Sequence, residues 1–129
     1  MKLNVMFIIA AVYGIFLGLF ELIAPAAASA GTLTDSMPGM LFMIVRFWGV
    51  AYIGLGLIAW FVRNAEASKA RDGVTLGLTV FFTLHALTSL YGQFTDASMS
   101  THWIMATIQA LIAVGFFSAG KASMSANVK

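Results

Sequence analysis

A single arginine inside an apolar run constrains this chain more than any other feature. Gly39 to Arg63, GMLFMIVRFWGVAYIGLGLIAWFVR, is apolar or small nearly throughout, and Arg46 is the one interior charge. A helix crosses the hydrocarbon core of a bilayer with about 20 such residues, so the stretch predicts a membrane span. An arginine costs roughly 2.5–3.5 kcal/mol at the centre of a span, and less near an end where it can snorkel. Arg46 stands roughly 10 Å into the run at 1.5 Å per residue. It needs a partner at the same depth on a neighbouring helix.

Composition supports the membrane reading. Of 129 residues, 60% are hydrophobic and 9% charged, whereas soluble domains carry about 25% charged residues. A water-soluble fold of this size could not hide so much apolar surface. The net charge of +2 comes from basic residues scattered over short loops, a pattern that excludes a nucleic-acid partner. The absence of cysteine removes disulfides, thiolate metal sites and thiol catalysis together.

The chain reads as one domain, residues 1–129, with spans at about 3–24, 40–62, 73–94 and 101–119 and a polar tail over 120–129 that is expected to fray. Pro25 should end the first span. The N-terminus also resembles a signal peptide, with Lys2, an apolar run and Ala28-Ser29-Ala30 before Gly31. Its apolar run of about 20 residues exceeds the roughly 7–15 of a signal core, and it contains Glu21. A retained span is the preferred reading. Short connections make sequential helices antiparallel neighbours. Lys2, Arg63, Lys69, Arg71, Lys121 and Lys129 fall on one side, against Asp35 and Asp96 on the other. The positive-inside rule then puts both termini in the cytoplasm. Trp48 and Trp103 fall near the outer interface and Trp60 near the inner one, as in an aromatic belt. The expected fold is an all-α, integral membrane four-helix bundle, multi-pass in the cell (inner) membrane.

Polar residues within the spans mark the candidate site. Glu21 and Arg46 should lie at nearly the same depth on adjacent antiparallel helices, which predicts an intramembrane ion pair. Gly14, Gly18 and Glu21 share a face at i, i+4, i+7, and the Gly-x-x-x-Gly pair lets another backbone approach closely. Gly49, Gly54 and Gly56 are assigned to helix packing as well. His85, Thr88, Ser89 and Gly92 read as one face of the third span, and His102 and Gln109 as one face of the fourth. With Gln93, these residues suggest a polar pocket opening to the outer side. The competing reading is that His85 and Gln109 simply hydrogen-bond across helices, at roughly 0.6 kcal/mol each.

Enzyme chemistry finds little support. Two histidines without cysteines or clustered carboxylates make a poor metal site. His85 and His102 differ in depth by roughly 20 Å on upright helices, too far to share one heme. No nucleophile elbow, phosphate loop or HExxH motif is present.

Arg46-Phe47-Trp48-Gly49, the following Gly54-Leu55-Gly56-Leu57 and the basic turn from Arg63 to Arg71 resemble the small DoxX-like group of bacterial four-helix membrane proteins. The shared four-span layout covers nearly the whole chain. The resemblance implies a four-helix bundle that in some members serves as an accessory subunit of a membrane oxidoreductase handling quinone, and it carries over no catalytic residue. Small multidrug exporters share the size, the four spans and a first-span glutamate, but their essential glutamate lies deeper and its surrounding motif is absent here. The expected function is therefore that of a non-enzymatic accessory or structural subunit. It would be surrounded by lipid and packed against other membrane subunits or a second copy of itself. A lipid or quinone could occupy the outer pocket, with no other cofactor and no metal. The alternative is a small proton-coupled transporter using Glu21 or His85.

Overall fold

The computed structural model of the chain describes residues 2–29, 38–95 and 102–126. Five helices occur among them: α1 (Leu3–Ile23), α2 (Pro25–Ala28), α3 (Gly39–Val62), α4 (Lys69–Thr95) and α5 (His102–Ala126). Four are long and apolar enough to cross a membrane, namely α1, α3, α4 and α5 over Trp103–Ser123. The chain thus has the make-up of a small multi-span membrane protein. Trp48, Trp60 and Trp103 each leave roughly half of their surface exposed, as rings seated in an interface would.

Helix ends follow local chemistry. Pro25 lacks an N–H and its ring collides with the carbonyl four residues back, so α1 stops at Ile23. The same proline then opens α2, where its fixed φ suits a first helical position. The hydroxyl of Ser29 closes that turn by donating to the Pro25 carbonyl at 2.7 Å. Two ends differ from the sequence expectation. α4 begins at Lys69, not near residue 73. The Arg71 N–H donates to Ser68 Oγ at 3.3 Å, capping the helix, and Asp72 in the first turn complements the helix dipole. α5 runs on to Ala126 through the segment expected to fray. Hydropathy marks where lipid ends, whereas alanine, lysine and methionine sustain a helix beyond that point. Asp35 and Asp96, the charges of the two loops opposite the basic side, lie outside the described residues.

Along α4, Thr75, Thr79 and Thr83 each donate a hydroxyl hydrogen bond of 2.8 Å to the carbonyl four residues earlier. Their polar groups are thereby satisfied within the helix.

The chain forms two compact units, Ala10–Trp60 and Met1–Ile9 with Phe61–Lys129. In the first, α1 and α3 cross antiparallel through glycine. A Cβ added at Gly18 would collide with the Gly49 carbonyl oxygen, and one at Gly14 would lie 2.8 Å from the Tyr52 carbonyl and 3.2 Å from Gly56 Cα. The buried residues of α3 are Gly49, Tyr52, Gly56 and Ala59, a 3-4-3 spacing that gives one continuous seam. Gly54 is the exception among the glycines assigned to packing. A Cβ there would meet nothing within 4 Å, because a residue two positions from Gly56 turns about 200° away from it on a helix of 3.6 residues per turn.

In the second unit α4 and α5 pack side by side. Phe94 meets Trp103, Ser89 meets Gln109 and Phe82 meets Phe116, so the pair is antiparallel. Phe116 is fully buried. It stands edge-on to Phe7 of α1 at 5.4 Å and stacks on Phe82 at 6.3 Å.

Candidate functional site

The α1–α3 crossing brings the backbones of Glu21 and Arg46 to within about one helical turn of each other. A Cβ placed on Gly49 would lie 3.1 Å from Glu21 Cβ, and Arg46 precedes Gly49 by three residues, one turn along the same side of α3. The predicted ion pair does not form in this structure. Glu21 Oε2 is buried with no hydrogen-bond partner among the described residues. Arg46 Nη1 lies 3.9 Å from Met43 Sδ, on its own helix. The glycine seam brings the two backbones close enough to align the residues in depth. What the side chains do beyond Cβ is a rotamer choice that depth does not determine.

The polar residues of α4 and α5 divide differently from the expected faces. Gln109 is 2% exposed, and Ser89 Oγ donates to its Oε1 at 3.2 Å. This is a helix-to-helix hydrogen bond between two of the predicted residues. The packed stripe of α4 runs through Thr75, Leu78, Phe82 and Ala86, and Ser89 continues it at helical spacing. Thr88 is exposed, so the proposed face of His85, Thr88, Ser89 and Gly92 is turned by about one residue from the face that packs. His85 is half-buried against Phe81, with ring centroids 4.5 Å apart. Gln93 Oε1 is buried without a partner among the described residues. The side chain of His102 lies outside them. No three His, Cys, Asp or Glu side chains among the described residues gather as metal ligands would.

A cavity lies at the other end of the α4–α5 pair. It has a volume of about 350 Å³ and is lined by Asp72, Thr75, Leu76 and Thr79 of α4 and by Phe116, Phe117 and Lys121 of α5, with Gly73 and Gly120. Gly120 permits the close approach at its edge, since a Cβ there would stand 2.9 Å from Thr75 Cγ2. A Cβ at Gly73 would meet nothing within 4 Å. In the sequence Lys121 counts among the basic residues that fix orientation, and Asp72 carries no assigned role. The signal overlooked was the register Asp72-x-x-Thr75-Leu76-x-x-Thr79, which places charge, hydroxyls and an apolar side chain along one side of a helix.

The arrangement offers one buried carboxylate oxygen beside a glycine crossing, a serine–glutamine bridge, and an apolar crevice with an acid and a base at its mouth. No protein-family model, curated protein or solved structure matches the chain.

Proposed function

We propose that this protein is a non-enzymatic integral subunit or accessory protein, packed within a larger or homo-oligomeric assembly in the cell membrane. One observation carries the reading. Only 17% of the most apolar stretch of α3 is buried, and α3 displays Phe47, Trp48 and Phe61 outward at 65%, 50% and 76% exposure. Aromatic side chains of this kind anchor protein interfaces, and α3 carries them along most of its length. The resemblance of the Arg46-Phe47-Trp48-Gly49 segment to the DoxX-like group supports the same role, with a lipid or quinone as the associated small molecule. Crosslinking in native membranes, followed by purification in mild detergent, tests it. A discrete oligomer or hetero-complex is expected, and Phe61→Ala with Phe47→Ala should weaken it. A strict monomer without crosslinked partners would sink the proposal.

Within this reading the four long helices form a bundle with antiparallel neighbours and both termini in the cytoplasm. The distribution of lysine and arginine supports that orientation. Single cysteines at Ser36, Ala67, Ser98 and Ser125 should divide cleanly under a membrane-impermeant reagent applied from outside. Positions 36 and 98 should react, and positions 67 and 125 should not. Labelling of position 67 without position 36 would invert the topology.

A second reading is favoured by the buried Oε2 of Glu21, because a carboxylate oxygen without a hydrogen-bond partner among the described residues is suited to bind and release a proton. It makes the protein a small proton-coupled transporter. Proton-driven flux in liposomes that vanishes in Glu21→Gln, with the assembly intact, would favour this reading over the first.

A further inference from the structure

The acid of α1 and the base of α3 are neighbours that do not pair. A Cβ on Gly49 would lie 3.1 Å from Glu21 Cβ, and Arg46 stands three positions before Gly49 on α3. Side chains three positions apart on a helix have Cβ atoms about 5–6 Å from each other, so those of Glu21 and Arg46 lie within roughly 9 Å. Two long side chains span such a gap by rotating about their own bonds, with the backbones fixed. Yet Glu21 Oε2 is buried without a hydrogen-bond partner among the described residues. Among the same residues the guanidinium of Arg46 has only the Met43 thioether, 3.9 Å from Nη1. A thioether is a weak acceptor, whereas a carboxylate takes two N–H groups of an arginine at once. An ionised carboxylate buried without a donor is costly. A protonated one carries no charge to draw the guanidinium over. The conformation seen is therefore the one that a neutral acid dictates.

We propose that Glu21 and Arg46 form a proton-operated latch across the α1–α3 crossing, open as in this structure while the carboxyl is protonated and closed as an ion pair once it is ionised. In the closing step the O–H bond of the Glu21 carboxyl breaks, and its proton passes to water at the nearby interface, since α1 ends two residues on at Ile23. The Arg46 guanidinium then leaves Met43 Sδ and donates to the carboxylate. Protonation reverses both movements. A side chain at position 49 would stand against Glu21 Cβ, so the glycine there leaves the acid free to turn. Within Ala10–Trp60 the other titratable side chains among the described residues are Tyr13 and Tyr52. Their rings meet each other at 6.1 Å, about two turns from Glu21 along α1. α2 carries no titratable side chain. Arg46 is thus the cation that α3 sets beside the acid. The latch rests on Glu21 binding and releasing a proton, as in the transporter reading above, but not on net transport.

The test is a double-mutant cycle through Glu21→Gln, Arg46→Met and the double variant, read from unfolding of the full-length protein in mixed micelles between about pH 4 and about pH 9. Only the ionised form is stabilised by the pair, so the coupling is present at high pH and lost as the pH falls through the titration of the acid. At the alkaline end it should amount to about tenfold in the folding equilibrium, within the range for groups in contact. At the acid end it should vanish, and Arg46→Met alone should be neutral because no pair exists to break. Glu21→Gln mimics the neutral acid and should fold at every pH. Arg46→Lys keeps the cation and should retain a pH-dependent coupling. The infrared carbonyl band that Glu21→Gln removes marks the protonated acid, and it should fade over the pH range in which the coupling appears. Coupling that is absent throughout, or equal at both ends, would overturn the latch, as would a band that persists to the alkaline end. A pH-dependent coupling without proton-driven flux in liposomes supports the latch and overturns the transporter reading. Flux that Glu21→Gln abolishes, with no coupling to Arg46, supports the transporter and overturns the latch.

Discussion

Gly18→Leu should separate α1 from α3 and unfold their crossing. The first atom added at this position falls on the Gly49 carbonyl oxygen, with Ile53 Cγ1 at 2.8 Å and the Ile53 backbone nitrogen at 2.9 Å. Two of the three obstacles are backbone, so no rotamer change relieves the collision. Overpacking a core costs about 1–3 kcal/mol where side chains can yield, and more where they cannot. In lipid the association of helices depends on close van der Waals contact, because hydrocarbon already solvates apolar side chains. Moving the two helices apart forfeits that contact along the whole seam, and a loss beyond about 3 kcal/mol is expected. Gly54→Leu is the matched control. Its Cβ enters open space, and replacing a helix-interior glycine recovers up to about 1 kcal/mol of propensity. Unfolding in mixed micelles of increasing dodecyl sulfate content measures both. Equal midpoints for the two variants would remove the glycine crossing from the account of the fold.

Phe116→Ala is expected to be the most damaging truncation in the second unit. The ring is fully buried, edge-on to Phe7 and stacked on Phe82. In a water-soluble core such a change costs about 3–5 kcal/mol, part of it lost transfer free energy and part the cavity left behind. With lipid as the surrounding solvent the transfer part largely disappears, leaving about 2–3 kcal/mol of lost packing. Phe117, the next residue, is 65% exposed. Phe117→Ala should therefore change the midpoint by less than about 0.5 kcal/mol, as surface substitutions do. A comparable loss from both variants would mean that Phe117 is covered by protein in the working state, and would locate a partner on that face of α5.

The four long helices were legible because crossing a bilayer imposes a length threshold that residues 3–24 or 40–62 meet without reference to anything else. Glycine spacing was also informative. Gly14 and Gly18 do face another backbone, and Gly49 and Gly56 receive them. Gly54 misled because three glycines within eight residues cannot all point one way on a helix. The helices α4 and α5 run past the spans read from hydropathy for a different reason. Lys69 to Asp72 and Lys121 to Ala126 are polar helix, and a hydropathy criterion is blind to helix outside lipid. For Glu21 and Arg46, chain spacing suggested neighbouring positions on adjacent helices but could not select their rotamers. The crevice between α4 and α5 was hidden because residues as far apart as Asp72 and Lys121 come to line one space only when the two helices are antiparallel.

The threonine ladder of α4 bears on what that helix requires of its surroundings. α4 is the least apolar of the four spanning helices, with a mean hydropathy of 1.5 against 2.3 for α1. Thr75, Thr79 and Thr83 have acceptors inside α4 itself, so these hydroxyls impose no penalty that a second helix must relieve. The hydroxyl of Ser89 is different, because its acceptor is Gln109. The demands of lipid and of pairing thus fall on different parts of one helix: the hydroxyls nearer Lys69 need no second helix, while the one nearer Thr95 takes its acceptor from α5.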